Sequence, residues 1–372
     1  MSTHSRLVGL GDDYNAIFPF STLSDKELSP FWPDRGYSSH RSIYQSSQTS
    51  FKNPTSPALM ARTDVCPLRF IDVSTLRLVE FSKEEIIPPY AILSHRWTEE
   101  EVVYKEFLNP EESRTKMGYQ KILGACRQAL QDDIHLIWVD TCCINQGDPA
   151  DIAANITSMY AYYQNAEVCY VYLNDVIKRR DICYGRNEFG QMGSDWLKRG
   201  WTMQELIAPR TVIFFNQHWM YLGDKHQLRE GVSAITYIPL SILSGEQSLQ
   251  DIDDLTRMSW ATNRVTTKPQ DKAYCLQGLF GVTLVPDYEE DMARSFNRLG
   301  EVLCDAHPEL IERLGIPQNF FDNPGEYEKS FYDFAWDKSA EIWYEMYAES
   351  RNRGHIKGFD NYDEGSLLSS RY

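Results

Sequence analysis

The apolar positions of this chain change period several times, and each change marks an element. Leu68 to Val73 and Leu76 to Phe81 are short apolar, β-branched runs around Ser74-Thr75, which predicts a hairpin. Tyr90-Ala91-Ile92-Leu93-Ser94 follows Pro88-Pro89 and predicts a short buried strand. Met117 to Asp132 then places Ile122, Cys126, Ala129 and Leu130 on one helical face. His135 to Asp140 is nearly continuous in apolar character, as a strand covered on both faces requires. Ile152, Ile156, Met159, Tyr160 and Tyr163 mark the next amphipathic helix. Glu167 to Leu173 is a third such strand. After a Gly-rich loop from Tyr184 to Ser194 comes a helical segment, Arg199 to Ala208, stopped by Pro209, and then a fourth strand at Thr211 to Phe215.

Strand and helix thus alternate from residue 88 to residue 216. The alternation implies right-handed crossovers and an α/β fold: a mostly parallel sheet with helices on both faces, whose ligands gather at the carboxyl ends of the strands. Asp254 to Trp260, Asp271 to Phe280 and Glu289 to Ala306 read as a C-terminal helical annex. Residues 1–62 are rich in Ser, Pro, Thr and Asn without a sustained period, which predicts a flexible arm. Residues 307–372 carry thirteen acidic residues against seven basic ones, among many aromatics. They are expected to be a partly ordered tail, or helical around Ser339 to Ser350. The ordered domain is therefore placed at residues 63–306, and no internal repeat is visible.

Composition narrows the functional classes. With 42% apolar residues, nine Trp, 22 Tyr and 17 Phe in 372 positions, the chain has ample core material. A formal net charge of -16 argues against a nucleic-acid or anionic-membrane surface. No apolar run is long enough for a membrane span, and Met1 to Leu10 lack the basic-then-apolar order of a secretory signal, so a cytoplasmic protein is expected. Eight cysteines show no framework spacing and are expected to be reduced.

The strand ends carry the candidate chemistry. The first strand ends in Ser94-His95-Arg96-Trp97 and the second in Asp140-Thr141-Cys142-Cys143-Ile144-Asn145-Gln146. The helix after the third strand holds Arg199, Trp201 and Glu205. A parallel sheet puts these groups on one rim, suited to a polar ligand with a ring. Glu205 stands out because a carboxylate on so apolar a helix needs a partner, a shifted pKa or a chemical role. Structural roles stay open for each residue. Asp140 and Asn145 can cap or bind loop amides, Trp97, Trp138 and Trp201 can anchor the core, and His95 can be a satisfied buried histidine. Arg199 can pair with an acid, and Glu205 can cap or form a salt bridge. No metal-ligand spacing and no Gly-rich phosphate loop is present. A nucleophilic set of Cys142, His95 and Asp140 is conceivable from residue types alone.

Four segments occur in order: Tyr90 to Trp97 (YAILSHRW), Ile137 to Gln146 (IWVDTCCINQ), Ala166 to Leu173 (AEVCYVYL) and Arg199 to Leu206 (RGWTMQEL). Together they resemble the fungal heterokaryon incompatibility (HET) domain, with a motif core at residues 90–216. The resemblance extends through Met258 to Ala261, Thr266-Thr267 and Asp271 to Leu276. Val285 to Glu290 departs from the Leu-Leu-Tyr-Gly-Glu-Gly run common in the family, and Asn145 stands where many relatives have Asp. The resemblance implies a role in fungal non-self recognition and regulated cell death. The HET domain in turn looks like a divergent relative of TIR domains, which implies a flavodoxin-like sheet and homotypic or TIR-like assembly. It also implies cleavage of NAD, as substrate and not cofactor, with Glu205 as the catalytic residue. On that reading Ser94, His95, Trp97, Asp140 and Trp201 line the pocket and Arg199 meets a phosphate. The alternative is a non-catalytic signalling module in which Glu205 and Trp201 are structural.

Overall fold

A computed structural model describes residues 65–186 and 192–352. The expected arm, the middle of the Gly-rich loop and the tail beyond Asn352 lie outside the described residues. Seven strands form one sheet: β1 (Arg69–Asp72), β2 (Arg77–Glu80), β3 (Tyr90–His95), β4 (Leu136–Val139), β5 (Val168–Leu173), β6 (Val212–Asn216) and β7 (Tyr221–Asp224). Their order across the sheet is β2-β1-β4-β3-β5-β6-β7.

The expected parallel sheet is present in its four central strands, where β3 pairs with β4 and β5, and β5 with β6. The outer strands make the whole sheet mixed, because β1 runs antiparallel to both β2 and β4, and β7 antiparallel to β6. The hairpin joins the sheet because Phe70 and Ile71 are too apolar to leave in water; both are fully buried, with Ile71 opposite Ile137. Strand β7 was not expected: Tyr221-Leu222-Gly223-Asp224 has no long alternation, and Gly223 adopts φ 145°, open to a residue without Cβ.

Burial explains why the central strands read as unbroken apolar runs. All six residues of β3 and all four of β4 are buried, including the polar Ser94 and His95. Trp138, Tyr170 and Phe214 have no exposed surface; Trp138 meets Tyr163 edge-on at 6.2 Å and Phe214 meets Trp196 at 5.7 Å.

The main helices of the sheet region are α1 (Met117–Gln131), α2 (Pro149–Asn165), α3 (Thr202–Ile207) and α4 (Lys225–Thr236). Helix α2 starts with Asp148, whose side chain accepts from the Ala150 amide, followed by Pro149 at the first helical position. Strand order reverses between β3 and β5, since the chain steps to β4 on one side of β3 and then to β5 on the other. This reversal is a topological switch point, and the carboxyl ends of β3, β4 and β5 meet there. With right-handed crossovers, α1 covers one face and α2 and α3 the other.

The annex contains α5 (Asp254–Ser259), α6 (Met292–Ala306) and α7 (Phe331–Asn352). The acidic segment expected to be partly ordered is helical over α7, wider than the stretch from Ser339. Its buried Phe331, Tyr332, Ala335 and Trp343 pack against α5 and α6. Gly300 on α6 lets the Phe331 ring approach so closely that a Cβ there would lie 2.3 Å from it. Gly300→Ala is therefore expected to push the ring outward at a cost of about 1–3 kcal/mol. Hydrogen exchange should show faster exchange in α7 with the sheet unchanged.

Candidate functional site

The site is built on the last turn of a buried strand. Ser94, fully buried near the end of β3, faces the short helix α3 that carries Glu205. The Ser94 hydroxyl donates to Glu205 Oε2 and accepts from the Trp196 indole Nε1 at 2.8 Å. Tyr163 on α2 also bonds Glu205, while its own hydroxyl donates to the Leu93 carbonyl at 3.3 Å.

Glu205 is 5% exposed, and burial raises its carboxyl to about 8. The nearby Asp140 charge adds to that, and the Ser94 bond and Arg199 charge oppose it. At neutral pH the group is mostly a neutral acid. The bonds run from the Trp196 indole to Ser94, from Ser94 to Glu205 and from the Tyr163 hydroxyl to the Leu93 carbonyl, and the Tyr163 contact, like that of Ser94, acts downward on Glu205 without outweighing burial. The same group as a carboxylate would be a buried charge without a cation bonded to it.

Helix α3 has six residues, too few to be stable alone, and tertiary bonds hold it. The buried Lys225 ammonium donates to the Leu206 carbonyl at 3.2 Å and the Pro209 carbonyl at 2.6 Å, just where the helix ends. Burial lowers Lys225 to about 8. At the start, Thr202 Oγ1 donates to the Trp196 carbonyl at 2.6 Å.

The neighbouring rim is charged. His95 Nε2 lies 3.5 Å from Glu101 Oε2 and 3.8 Å from Asp140 Oδ1, with the His95 side chain 1% exposed. Both ring nitrogens lie outside hydrogen-bond geometry, so these contacts are ion-pair approaches only. Glu101 also takes Lys121 at 2.5 Å. Burial acts upward on Glu101, yet His95 and Lys121 together hold its carboxyl well below the usual range; burial pulls Lys121 down despite that pairing. Asp140 accepts from the Thr141 amide at 2.8 Å and from the Trp97 indole at 2.7 Å, and Trp97 is 42% exposed.

The structure thus joins Ser94 to Glu205, and His95 and Trp97 to Asp140. It turns Arg199 and Trp201 toward the annex, where Arg199 donates to Thr267 Oγ1 at 3.3 Å and the Trp201 indole bonds Asp271. The Glu205 carboxyl expected at an open rim is 5% exposed, bonded by Ser94 and Tyr163, with Trp196 behind Ser94. The thiol set fails as well: Cys142 has no exposed surface, burial raises its pKa well above the ordinary thiol value, and its Sγ bonds the Val102 carbonyl. Asn145 bonds the Gly147 amide of its own loop, the local role open to it from sequence. Among the described residues, Asp254, His307 and Glu309 on the annex place metal-ligand atoms within 4.8 Å, with Asp254 already held by Arg257. Glu101, Lys121 and Trp196 were not singled out in the sequence. Glu101 ends the acidic run Glu99-Glu100-Glu101 and Lys121 interrupts the apolar face of α1, so each looked like a solvated charge.

Two of the buried titrating groups, Glu205 and Lys225, set opposite pH dependences. An unfolded Glu205 ionises near 4.5 and the folded one near 8, so the folded state holds the extra proton between these values and stability falls as pH rises through them. Lys225 has the reverse sign between about 8 and 10.5, where the unfolded state holds the extra proton and stability rises with pH. Urea unfolding is expected to show a stability minimum near pH 8. Glu205→Gln should flatten the fall below it, by up to about 1.4 kcal/mol per pH unit, and leave the rise above it.

Residues 90–192 match the family described as Heterokaryon incompatibility protein (HET). Over 219 residues the chain is 41% identical to Vegetative incompatibility protein HET-E-1 of Podospora anserina, a stretch that covers 58% of this chain and 16% of that protein. No solved structure matches the chain. The family match contains Ser94, His95, Trp97, Asp140 and Tyr163 and ends before the helix that carries Glu205. With these matches lying over the strand-end motifs, the chain carries a heterokaryon incompatibility (HET) domain.

Proposed function

We propose that this chain acts in fungal non-self recognition and regulated cell death, as a signalling and assembly module whose strand-end centre is shut in the form described. The likeness to a vegetative incompatibility protein supports the biological role. The burial of Glu205 carries the mechanistic part: a neutral acid, 5% exposed and bonded on both sides, offers a substrate neither charge nor access. In this reading Glu205 and Trp196 hold α3 on the sheet, and the module signals by engaging further copies of itself or TIR-like partners.

One observation favours a second reading, cleavage of NAD to nicotinamide and ADP-ribose. Ser94, His95, Asp140 and Glu205 converge on the carboxyl ends of parallel strands at a switch point, where ligands of doubly wound sheets bind. The central order β4-β3-β5-β6 is, counted along the chain, the 2-1-3-4 start of a flavodoxin-like sheet, which supports a TIR-like fold. Loss of nicotinamide builds oxocarbenium character on the ribose, and one carboxylate can stabilise it because the pyridinium leaves as a neutral ring. That reaction requires Glu205 ionised and uncovered, so the Ser94 and Tyr163 bonds must open first. No helix among the described residues is long and apolar enough to cross a membrane, and a cytoplasmic site of action belongs to both readings.

Glu205→Gln separates the two, because the amide keeps the size and hydrogen bonding of the neutral acid and lacks its ionisation. Expression in a filamentous fungus is expected to cause loss of viability equally for wild type and Glu205→Gln. Purified protein incubated with NAD is expected to release no nicotinamide. Viability restored by Glu205→Gln, together with nicotinamide release by wild type alone, would replace the first reading by the second.

A further inference from the structure

The annex carries a cluster of a different kind, formed by α5, the end of α6 and the short helix Glu309–Leu314. Asp253 caps α5, accepting from the Leu255 amide at 3.0 Å and the Thr256 amide at 3.2 Å, and it pairs with Arg313 at 2.5 Å. Asp254, one residue on, is therefore not needed for the cap. Its side chain is 7% exposed, and its Oδ1 is held by Arg257. That guanidinium is fixed in turn, with Nη1 donating to the Leu279 carbonyl at 2.6 Å and the Phe280 ring beneath it. Asp254 Oδ2 makes no hydrogen bond among the described residues and faces His307 Nδ1 at 3.5 Å. A buried carboxylate oxygen left without a donor is costly, so its rigid placement calls for a further partner.

His307 directly follows α6, and its Nδ1 also lies 3.7 Å from Glu309 Oε1. Neither approach is a hydrogen bond. One ligand atom from each of Asp254, His307 and Glu309 lies within 4.8 Å of the other two. Zinc bonds imidazole nitrogen and carboxylate oxygen at about 2.0–2.2 Å, so ligand atoms on a tetrahedral ion stand about 3.3–3.6 Å apart. The two separations at His307 are already near that value, and the Glu309 side chain, 61% exposed, is free to close the third. Asp253, Asp254 and Glu309 bring three negative charges, against two positive ones on Arg257 and Arg313 that are already bonded. One imidazole with two carboxylates suits zinc and its transition-metal neighbours, whereas magnesium prefers oxygen and water.

We infer that Asp254 Oδ2, His307 Nδ1 and Glu309 bind one divalent transition-metal ion of the zinc class, with Arg257 orienting Asp254. Three protein ligands leave a fourth position for water. Because the ligands come from α5, from the residue after α6 and from the next helix, the ion clamps together the helices on which α7 packs.

The test is calorimetric titration of the full chain, freed of metal by a chelator, with zinc chloride. Saturation at one ion per chain is expected, unaffected by a large excess of magnesium. His307→Gln and Glu309→Gln should each bind at least about tenfold more weakly. Both replace partly exposed side chains that make no hydrogen bond among the described residues, whereas a change at Asp254 would strand Arg257. His135→Gln is the control, since His135 and Asp133 form an exposed pair elsewhere that would hold only an adventitious ion; it should bind zinc as wild type does. Hydrogen exchange in α5 and in residues 309–314 should slow on adding zinc to wild type and not to His307→Gln. No saturable binding, equal affinity in wild type and His307→Gln, loss of binding in His135→Gln, displacement by magnesium, or binding that leaves exchange in these helices unchanged overturns the proposal.

Discussion

The hydrogen bond from Ser94 to Glu205 ties the centre of the sheet to a helix that has little hold of its own. Ser94 belongs to β3, whose register against β4 and β5 is fixed by buried apolar pairs on both sides. Glu205 belongs to a helix of six residues, clamped by Lys225 at its end and by Arg264 at its start. Removing the hydroxyl would leave the Trp196 indole without its acceptor, at about 1–3 kcal/mol, and take from the carboxyl one of its two partners. The contact joins β3 to α3, and the Lys225, Thr202 and Arg264 bonds hold the two ends of the same helix.

The rim of the sheet divides its charge. On one side of β3, Glu101 and Lys121 form a buried ion pair, with the His95 ring and the half-buried Asp140 carboxylate beside it. On the other, Trp196, Ser94, Glu205 and Tyr163 form a chain that suits a neutral acid. The division has a physical origin: a lysine and a histidine are within reach of Glu101, and no cation bonds Glu205, so burial decides its state. A buried ionic cluster adds little net stability over apolar packing, but removing one member leaves a charge exposed to a low-dielectric interior. The Trp97 indole on Asp140 covers the outer edge of that cluster.

Much of the scaffold was legible in the residues. Unbroken apolar runs located β3 to β6 to within a residue or two, since strands covered on both faces admit few polar side chains. The rim residues were legible because polar groups follow those runs directly. Strand β7 and the extent of α7 were not. The first is short, with an edge strand's mixed pattern. The second hides its buried aromatics among acids, and only its docking on α5 and α6 decides that it is ordered. The sequence placed Glu205 among candidates for catalysis but could not show that Tyr163 on α2 would bond it, or that Trp196, on the short 3-10 turn Asp195–Lys198, would bond its partner Ser94.

The central claim is that Glu205 is a neutral acid inside a closed chain of hydrogen bonds. The direct measurement is the infrared difference spectrum between wild type and Glu205→Gln, recorded as pH is raised from about 6 to about 9. A carboxylic-acid carbonyl band present only in wild type near pH 6, and replaced by a carboxylate band as pH passes about 8, is the predicted result. A carboxylate band already complete near pH 6 would contradict it.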